Sequence, residues 1–208
     1  MARVPYRYIA YLALGSIIFF TAFSGLPVST VIPLEDRTAD GAASADIKVL
    51  GTSNVHDWSM EDKDVSCMAH FTYAAGNNKI PAALEALTLS FPVHNLKSGK
   101  SGMDSKAYTA LKAKDGGNIV FASTSSIILP GTVGQFKVRS KGNLTIAGIT
   151  NPVVMDATCQ VVPGGTINCT GTEKLKMSDY GIKPPTYMLG ALKTGDALTI
   201  DFTLVVKK

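Results

Sequence analysis

The segment His56-Asp57-Trp58 places a histidine beside a carboxylate, an arrangement that could support acid–base chemistry. Neighbouring residues on a strand point to opposite faces, so we expect His56 and Trp58 to share one face and Asp57 to take the other. That separation favours structural roles, or roles at the mouth of a cavity, over catalysis. We expect Trp58, the single tryptophan, to close the core, with contact to a ligand as the alternative.

Other signatures of catalysis or metal binding are missing from the sequence. His70 and His94 have no cysteine or acidic residue at a metal-ligand spacing, and the sequence contains neither an HExxH nor a CxxC motif. A GxSxG nucleophile elbow is also missing. We therefore expect a protein that has no dedicated metal site, needs no cofactor and is not an enzyme.

The three cysteines suggest one disulfide and one free thiol. Cys159 and Cys169 stand symmetrically about a turn-forming Pro-Gly-Gly at residues 163–165, so a hairpin there would place them opposite each other. A disulfide across this hairpin would contribute roughly 2–3 kcal/mol. The alternative is two buried thiols that pack as small apolar groups. We favour the disulfide and expect Cys67 to be a buried free thiol.

The N-terminus is typical of an exported protein. Two arginines precede an apolar run over residues 9–26, and Ala22 and Ser24 suit cleavage after residue 24. Residues 1–24 are therefore predicted to be a Sec-type signal peptide. The run is also long enough for an uncleaved membrane anchor. In either case we expect the remainder to be periplasmic or otherwise exported.

The remaining chain is predicted to be a linker followed by one domain. Residues 25–44 have no sustained hydrophobic period and are interpreted as a flexible linker. Residues 45–208 have the length of a single domain. The net charge of +4 is spread along the chain without a basic patch, so we expect no nucleic-acid partner.

From residue 47 onward the dominant hydrophobic period is two, which is typical of half-buried strands. Near the C-terminus, for example, Leu198, Ile200 and Phe202 alternate with Thr199 and Asp201. About eight such strands are joined by turn-forming clusters of Gly, Pro and Asn. They predict an all-β fold, either a sandwich or a closed antiparallel barrel.

One segment breaks this period and predicts a short amphipathic helix over about 102–113. Ser101 and Asp104 suggest a capping box at its start, with Ser101 as the N-cap. The apolar stripe of the helix consists of Met103, Ala107, Tyr108 and Leu111. Because the helix lies between strands, we expect its stripe to cover an open part of the barrel or sheet as a lid.

Five segments, taken together and in order, resemble the YceI-like lipid-binding family. They are GTSNVHDW at 51–58, SGKSGMD at 98–104, IVF at 119–121, GNLTIAG at 142–148 and MSDYGIKPP at 177–185. The resemblance extends from about Val49 to Lys207. It implies an eight-stranded antiparallel barrel of lipocalin type with one associated helix. It also implies an apolar tunnel for a polyisoprenoid, such as a quinone tail or polyprenyl chain, or for another long amphiphile.

The resemblance makes inward-facing apolar residues, and residues near the mouth, candidates for ligand binding. The candidates are His56, Trp58, Leu89, Phe91, Met103, Tyr108, Leu111, Phe121, Leu144, Ile146, Tyr180, Met188 and Phe202. For each residue alone, core packing is the more common role. Residues 177–188 are predicted to be a long ordered loop rather than a strand, and we expect its Tyr180, Ile182, Tyr187 and Met188 to rim the mouth.

Two functions from different classes are consistent with these patterns. The first is an exported protein that binds a lipid, with an apolar ligand as its partner, transient membrane contact and a possible homodimer. The second is a structural or stress-associated envelope protein whose barrel is filled with side chains and which acts through protein partners. A continuous apolar cavity would separate the first from the second.

Overall fold

The computed structural model describes residues 39–74, 79–115, 117–132 and 134–207. Within these ranges the chain forms nine β-strands and one α-helix. The strands are β1 (Ala39–Ser53), β2 (Trp58–Thr72), β3 (Ala83–Pro92), β4 (Asn118–Pro130), β5 (Gln135–Ile146), β6 (Ile149–Val161), β7 (Ile167–Lys176), β8 (Thr186–Tyr187) and β9 (Leu192–Val206). The helix is α1 (Ser101–Ala110). The predicted signal peptide, residues 1–24, lies outside the described residues.

Eight of the strands form a closed antiparallel barrel, which confirms the predicted fold. Strands β1 to β7 pair in sequence order, and β9 lies between β7 and β1 and hydrogen-bonds to both. The two-residue strand β8 pairs only with the start of β9. Alternation along the strands follows the predicted period of two, with buried apolar residues facing the interior. In β5, for example, Phe136, Val138 and Leu144 are buried.

The barrel begins earlier than the sequence indicates. Residues 39–44, assigned to the linker, are part of β1 and pair with residues 66–71 of β2. Small side chains in this stretch give little hydrophobic period, so the signal for a strand is weak. The pairing with β2 makes this stretch a strand. The rest of the predicted linker, residues 25–38, lies outside the described residues.

The two ends of the barrel differ, and their names are used throughout. The closed end carries the β2–β3, β4–β5 and β6–β7 connections. Five side chains there are essentially fully buried: Phe71, Phe136, Cys159, Ile167 and Val206. The rings of Phe71 and Phe136 meet edge to face, with centroids 6.2 Å apart. The open end carries the β1–β2 turn, α1, the β5–β6 turn and the segment between β7 and β9.

A disulfide joins Cys159 on β6 to Cys169 on β7 at the closed end. The two residues are directly opposite in the ladder, with Cα atoms 4.0 Å apart, the close spacing of a non-hydrogen-bonded pair. The hairpin between them turns at Gly164 and Gly165, both with positive φ, which glycine adopts without strain. Cys67 is a buried free thiol, and burial raises its pKa to about 12, so it stays protonated near neutral pH.

The wall of the barrel has a seam between β6 and β7. Residues 157–161 pair with residues 167–171, which covers only the half nearest the closed end. Beyond this point, where both strands are described, β6 pairs with β5 and β7 pairs with β9. A 3-10 turn, Met177–Tyr180, contacts both strands at the open end. Asn151 Nδ2 donates to the Asp179 carbonyl at 2.8 Å, which bridges the seam.

The helix lies close to its predicted position but is shorter and is capped differently. It starts with Ser101 as its first helical residue rather than as the cap, and it ends at Ala110. The Asp104 carboxylate reaches back and accepts hydrogen bonds from the Ser98 backbone N–H and hydroxyl, at 2.8 and 2.6 Å. In the described part of the chain, no helix has the length and apolar character needed to cross a membrane.

We predict that reduction of the Cys159–Cys169 disulfide lowers the free energy of unfolding by about 2–3 kcal/mol. The bond joins two cysteines that are 10 residues apart in sequence, and it therefore restricts the conformations of the unfolded chain. Urea unfolding of the wild type with and without dithiothreitol measures the difference. The Cys159→Ala/Cys169→Ala variant is the control and should not respond to the reductant. Equal stability of oxidised and reduced wild type would contradict the prediction.

Candidate functional site

The open end of the barrel contains an apolar cavity of about 400 Å³. This volume falls within the range of small-molecule sites in proteins. Most of its lining is aliphatic or aromatic. The polar lining residues are Ser53, His56, Lys100, Tyr180, Tyr187 and Thr194. Among the described residues that line it, none is an aspartate or a glutamate.

The cavity exists because inward-facing side chains fill the interior at the closed end but not at the open end. On β9, Leu198 and Ile200 face the interior but remain half-buried, whereas Leu204 and Val206 on the same face are buried. The strands at the open end carry mid-sized side chains that do not meet across the interior. Apolar surface is therefore left open to a ligand instead of being closed by packing.

The β1–β2 turn positions His56 at the rim. His56 lies in this turn rather than on a strand, which corrects the assumption behind the predicted alternation. The Ser53 hydroxyl accepts hydrogen bonds from the backbone N–H groups of Val55 and His56 and donates to the His56 carbonyl at 2.7 Å. The His56 Nδ1–H donates to the Asp57 carbonyl at 2.9 Å. Asp57 does not line the cavity but lies in a groove outside the barrel.

Trp58 lies against a glycine that has no room for a side chain. Gly51 is its partner across the β1–β2 ladder, and a Cβ atom at Gly51 would overlap the indole ring. The indole Nε1–H donates to the Thr52 carbonyl at 3.0 Å. These contacts fix the half-buried ring against the wall, where it lines the cavity. Trp58 is thus both a packing residue and a lining residue.

The segment between β7 and β9 forms a second side of the mouth, and its predicted character as an ordered loop agrees with the structure. Met177, Tyr180 and Ile182 are buried and line the cavity. The Asp196 carboxylate holds the segment by accepting from the backbone N–H and hydroxyl of Ser178, at 2.9 and 2.6 Å. Burial raises the pKa of Tyr180, so its phenol stays protonated near neutral pH.

Helix α1 supplies the third side. Met103 and Ala107 line the cavity, together with Leu111 just beyond the helix. Tyr108, predicted to join this stripe, does not line the cavity. Its hydroxyl donates to the Leu96 carbonyl at 2.8 Å and accepts from Lys97 Nζ at 2.8 Å. Tyr108 therefore attaches the helix to the segment before it.

The candidate ligand-binding residues divide between the cavity and the core. Those that line the cavity are His56, Trp58, Met103, Leu111, Ile146, Tyr180 and Met188. Leu89 and Phe202 instead line a separate void of about 40 Å³ further inside the barrel. Phe91, Phe121 and Leu144 are buried in the core. Alternation identifies the inward face of a strand but not the depth along the barrel axis.

The sequence analysis missed several residues that line the cavity on inward faces at the open end. They are Val49, Met60, Ile119, Leu175, Leu198 and Ile200. The signal that could have identified them is their position on the inward faces of those strand segments that lie toward the helix and the long loop.

The arrangement of polar groups does not resemble a catalytic centre. Ser53 and His56 both line the cavity, but the Ser53 hydroxyl donates to a backbone carbonyl rather than to the imidazole. A nucleophile–base pair requires a hydrogen bond between those two side chains. Among the described residues, no group of three or more His, Cys, Asp or Glu side chains could hold a metal ion.

Comparison with known proteins identifies one family and several similar folds. A family model described as the YceI-like domain matches residues 38–206. No curated protein matches the sequence. Burkholderia cenocepacia BcnA has a similar structure, with a TM-score of 0.60 and 17% identity over 77% of this chain and 95% of that one.

Two further solved structures share the fold. A polyisoprenoid-binding domain from Saccharophagus degradans, implicated in plant cell wall breakdown, gives a TM-score of 0.56 and 10% identity, covering 79% of this chain and 97% of that one. The Campylobacter jejuni YCEI protein gives a TM-score of 0.53 and 19% identity, covering 71% of this chain and 82% of that one. At these identities the similarity establishes the fold alone.

We predict that Gly51→Ala destabilises the protein by about 1–3 kcal/mol, because the added methyl group forces the Trp58 ring away from the wall. Since Trp58 is the single tryptophan, its emission during urea unfolding reports both the ring's environment and stability. Gly102→Ala is the control, because nothing lies within 4 Å of an added Cβ there. Unchanged emission and stability in Gly51→Ala would disprove the packing described.

Proposed function

We propose that this chain, which belongs to the YceI-like domain family, binds a polyisoprenoid lipid or a similar long amphiphile in the open-end cavity. The observation that carries the proposal is the cavity itself, which is lined largely by apolar side chains and by no carboxylate. An apolar chain would lie against side chains that packing leaves half-buried, such as Leu198 and Ile200.

The expected affinity follows from the apolar surface that such a ligand would lose to water. Each buried carbon contributes up to about 0.8 kcal/mol. Three to four isoprene units therefore supply roughly 12–16 kcal/mol before the cost of association. A cost of several kcal/mol leaves about 8 kcal/mol, which corresponds to micromolar binding. No pattern of hydrogen bonds is needed to hold the tail.

The rim residues give the ligand its orientation. Polar lining groups belong to the elements of the mouth: His56 to the β1–β2 turn, Lys100 to the start of α1, and Tyr187 and Thr194 to the β8–β9 region. We infer that the tail occupies the interior while a polar headgroup meets these side chains. This is the usual design of a binding site, in which a few polar groups orient a mostly apolar ligand.

The proposal is for a binding protein rather than an enzyme. At the rim, the Ser53 hydroxyl and the His56 imidazole are both bonded to backbone carbonyls and not to each other. The alternative, a barrel filled by side chains, describes the closed end well but does not account for the cavity at the open end. The description of the Saccharophagus degradans domain as polyisoprenoid-binding adds support from a protein of the same fold.

Export of the protein is part of the proposal. The apolar N-terminal run after two arginines is typical of a secretory signal or anchor. The Cys159–Cys169 disulfide is chemistry typical of oxidising compartments such as the periplasm. Determining the N-terminal residue of the purified mature protein would distinguish a cleaved signal from an anchor.

We expect protein purified from a bacterial periplasm without detergent to carry a long-chain lipid in near-stoichiometric amount. Mass spectrometry of a solvent extract would identify it, and native mass spectrometry would give its occupancy. An empty protein that also fails to bind added quinones and polyprenols would overturn the proposed function.

We further predict that Ala107→Trp reduces lipid occupancy by about tenfold or more, because the indole would fill part of the cavity from the inner face of α1. Ser105→Trp adds the same side chain at an exposed position of the same helix and should keep wild-type occupancy. Native mass spectrometry measures both variants, and thermal unfolding confirms that both are folded. Equal occupancy in the two variants would place the ligand elsewhere.

A further inference from the structure

Three large apolar side chains are exposed beside the mouth. Met188 and Leu189 lie between β8 and β9 and are 81% and 110% exposed, and Val55 in the β1–β2 turn is 66% exposed. Met188 also contributes to the cavity lining. These three residues are called the tip. Exposed apolar groups grouped at one place on a soluble domain commonly mark an interaction surface.

The backbone presents these side chains at a conformational cost. Met188 and Leu189 have φ of 51° and 56°, the left-handed region that residues other than glycine rarely occupy. Two consecutive residues of this kind are strained, and strain of this sort clusters at functional sites. Because the Leu189 side chain is fully exposed, its packing within the protein does not compensate for the strain.

Hydrogen bonds join the two loops that carry the tip. Asn54 Nδ2 donates to the Ala191 carbonyl at 2.9 Å, and Asn54 Oδ1 accepts from the Lys193 backbone N–H at 2.8 Å. The Asn54 backbone N–H donates to the Lys193 carbonyl at 3.1 Å. Val55 is therefore held beside the Met188–Leu189 pair as one surface and not as two independent loops.

Charged side chains of both signs flank this surface. Lys100, at the start of α1, lines the mouth, and Lys183 and Lys193 are exposed in the loop and strand that carry the tip. The carboxylates of Asp57 and Asp196 lie on the same elements, and the hydrogen bonds that Asp196 accepts from Ser178 leave it charged. An apolar tip that is continuous with the apolar mouth and ringed by charged groups suits the interface of a lipid bilayer, where apolar side chains enter and charges stay among the headgroups.

We propose that the tip docks onto the surface of a lipid bilayer, with Val55, Met188 and Leu189 entering the interface and the surrounding charged side chains staying among the headgroups. The mouth would then open directly against the membrane. An apolar ligand could pass between bilayer and cavity without crossing water. The inference rests on the proposed function for its purpose, but the contact itself is a separate property with a separate test.

The test is co-sedimentation of the purified domain with vesicles of phosphatidylcholine and phosphatidylglycerol. We expect the wild type to bind, because the exposed apolar side chains of the tip enter the interface. Leu189→Asp and Val55→Asp should each bind at least about tenfold more weakly, because each places a charge where an apolar group would enter the interface. Thermal unfolding should be unchanged for both, since the side chains are exposed.

The matched control is Met68→Asp. Met68 is 72% exposed on the outer face of β2, away from the tip, so it carries the same change in a comparably exposed apolar residue. It should bind vesicles like the wild type. The proposal is overturned if the wild type does not bind vesicles, which would leave the tip as a contact for a protein partner. It is equally overturned if Met68→Asp weakens binding as much as Leu189→Asp does.

A second measurement separates this inference from the proposed function. Binding of a short-chain polyprenol added from ethanol, without vesicles, tests the cavity alone. Leu189→Asp should retain this binding within about twofold while losing vesicle binding. Loss of both in Leu189→Asp would show that the residue acts in the cavity and not as a membrane contact. A wild type that binds vesicles but no polyprenol would contradict only the proposed function.

Discussion

The structure depends on the ladder between β1 and β9, which closes the sheet. From Ala43 to Gly51, β1 pairs with β9 on one side and β2 on the other. Closure gives each of the eight strands a neighbour on both sides for at least part of its length, so none of them is a free edge of the sheet throughout. Because the hydrogen bonds of the wall hold the barrel together, its interior does not have to be filled at every level. A barrel of eight strands is just wide enough either to be filled by its side chains or to enclose one small ligand.

In this chain side chains fill the interior at the closed end, whereas the open end contains a cavity. Aromatic and branched side chains meet across the interior at the closed end, and the Cys159–Cys169 bond crosses the hairpin there. At the open end the wall carries aliphatic residues of middle size, and the helix and loops form a rim instead of a plug. Close side-chain packing is thus concentrated at the closed end, although contacts at the open end, such as that of Trp58 with Gly51, also contribute to stability.

Much of the fold could be predicted from sequence, and the limits of that prediction have physical causes. The period of two locates strands because it reflects the burial of one face. It failed for residues 39–44, where small side chains give little contrast in hydrophobicity between the two faces. The same period shows which residues face inward but not how far along the barrel axis they lie. Phe91 and Phe121 were therefore grouped with Ile146, although of these three only Ile146 lines the cavity. Tyr108 follows the helical stripe, but its hydroxyl requires partners, and the carbonyls before the helix provide them. Such preferences depend on neighbours that are distant in sequence.

The seam between β6 and β7 makes one stretch of the barrel wall easier to open than the stretches in which neighbouring strands are paired. Toward the open end, residues 149–156 pair only with β5 and residues 172–176 only with β9. Separating these two stretches breaks no ladder hydrogen bond between them, whereas parting β5 from β6 or β7 from β9 would break several. Opening of the wall along the seam is limited by the disulfide at one end and by the Asn151 contact at the other. The wall can therefore widen along this line while the topology of the barrel stays unchanged.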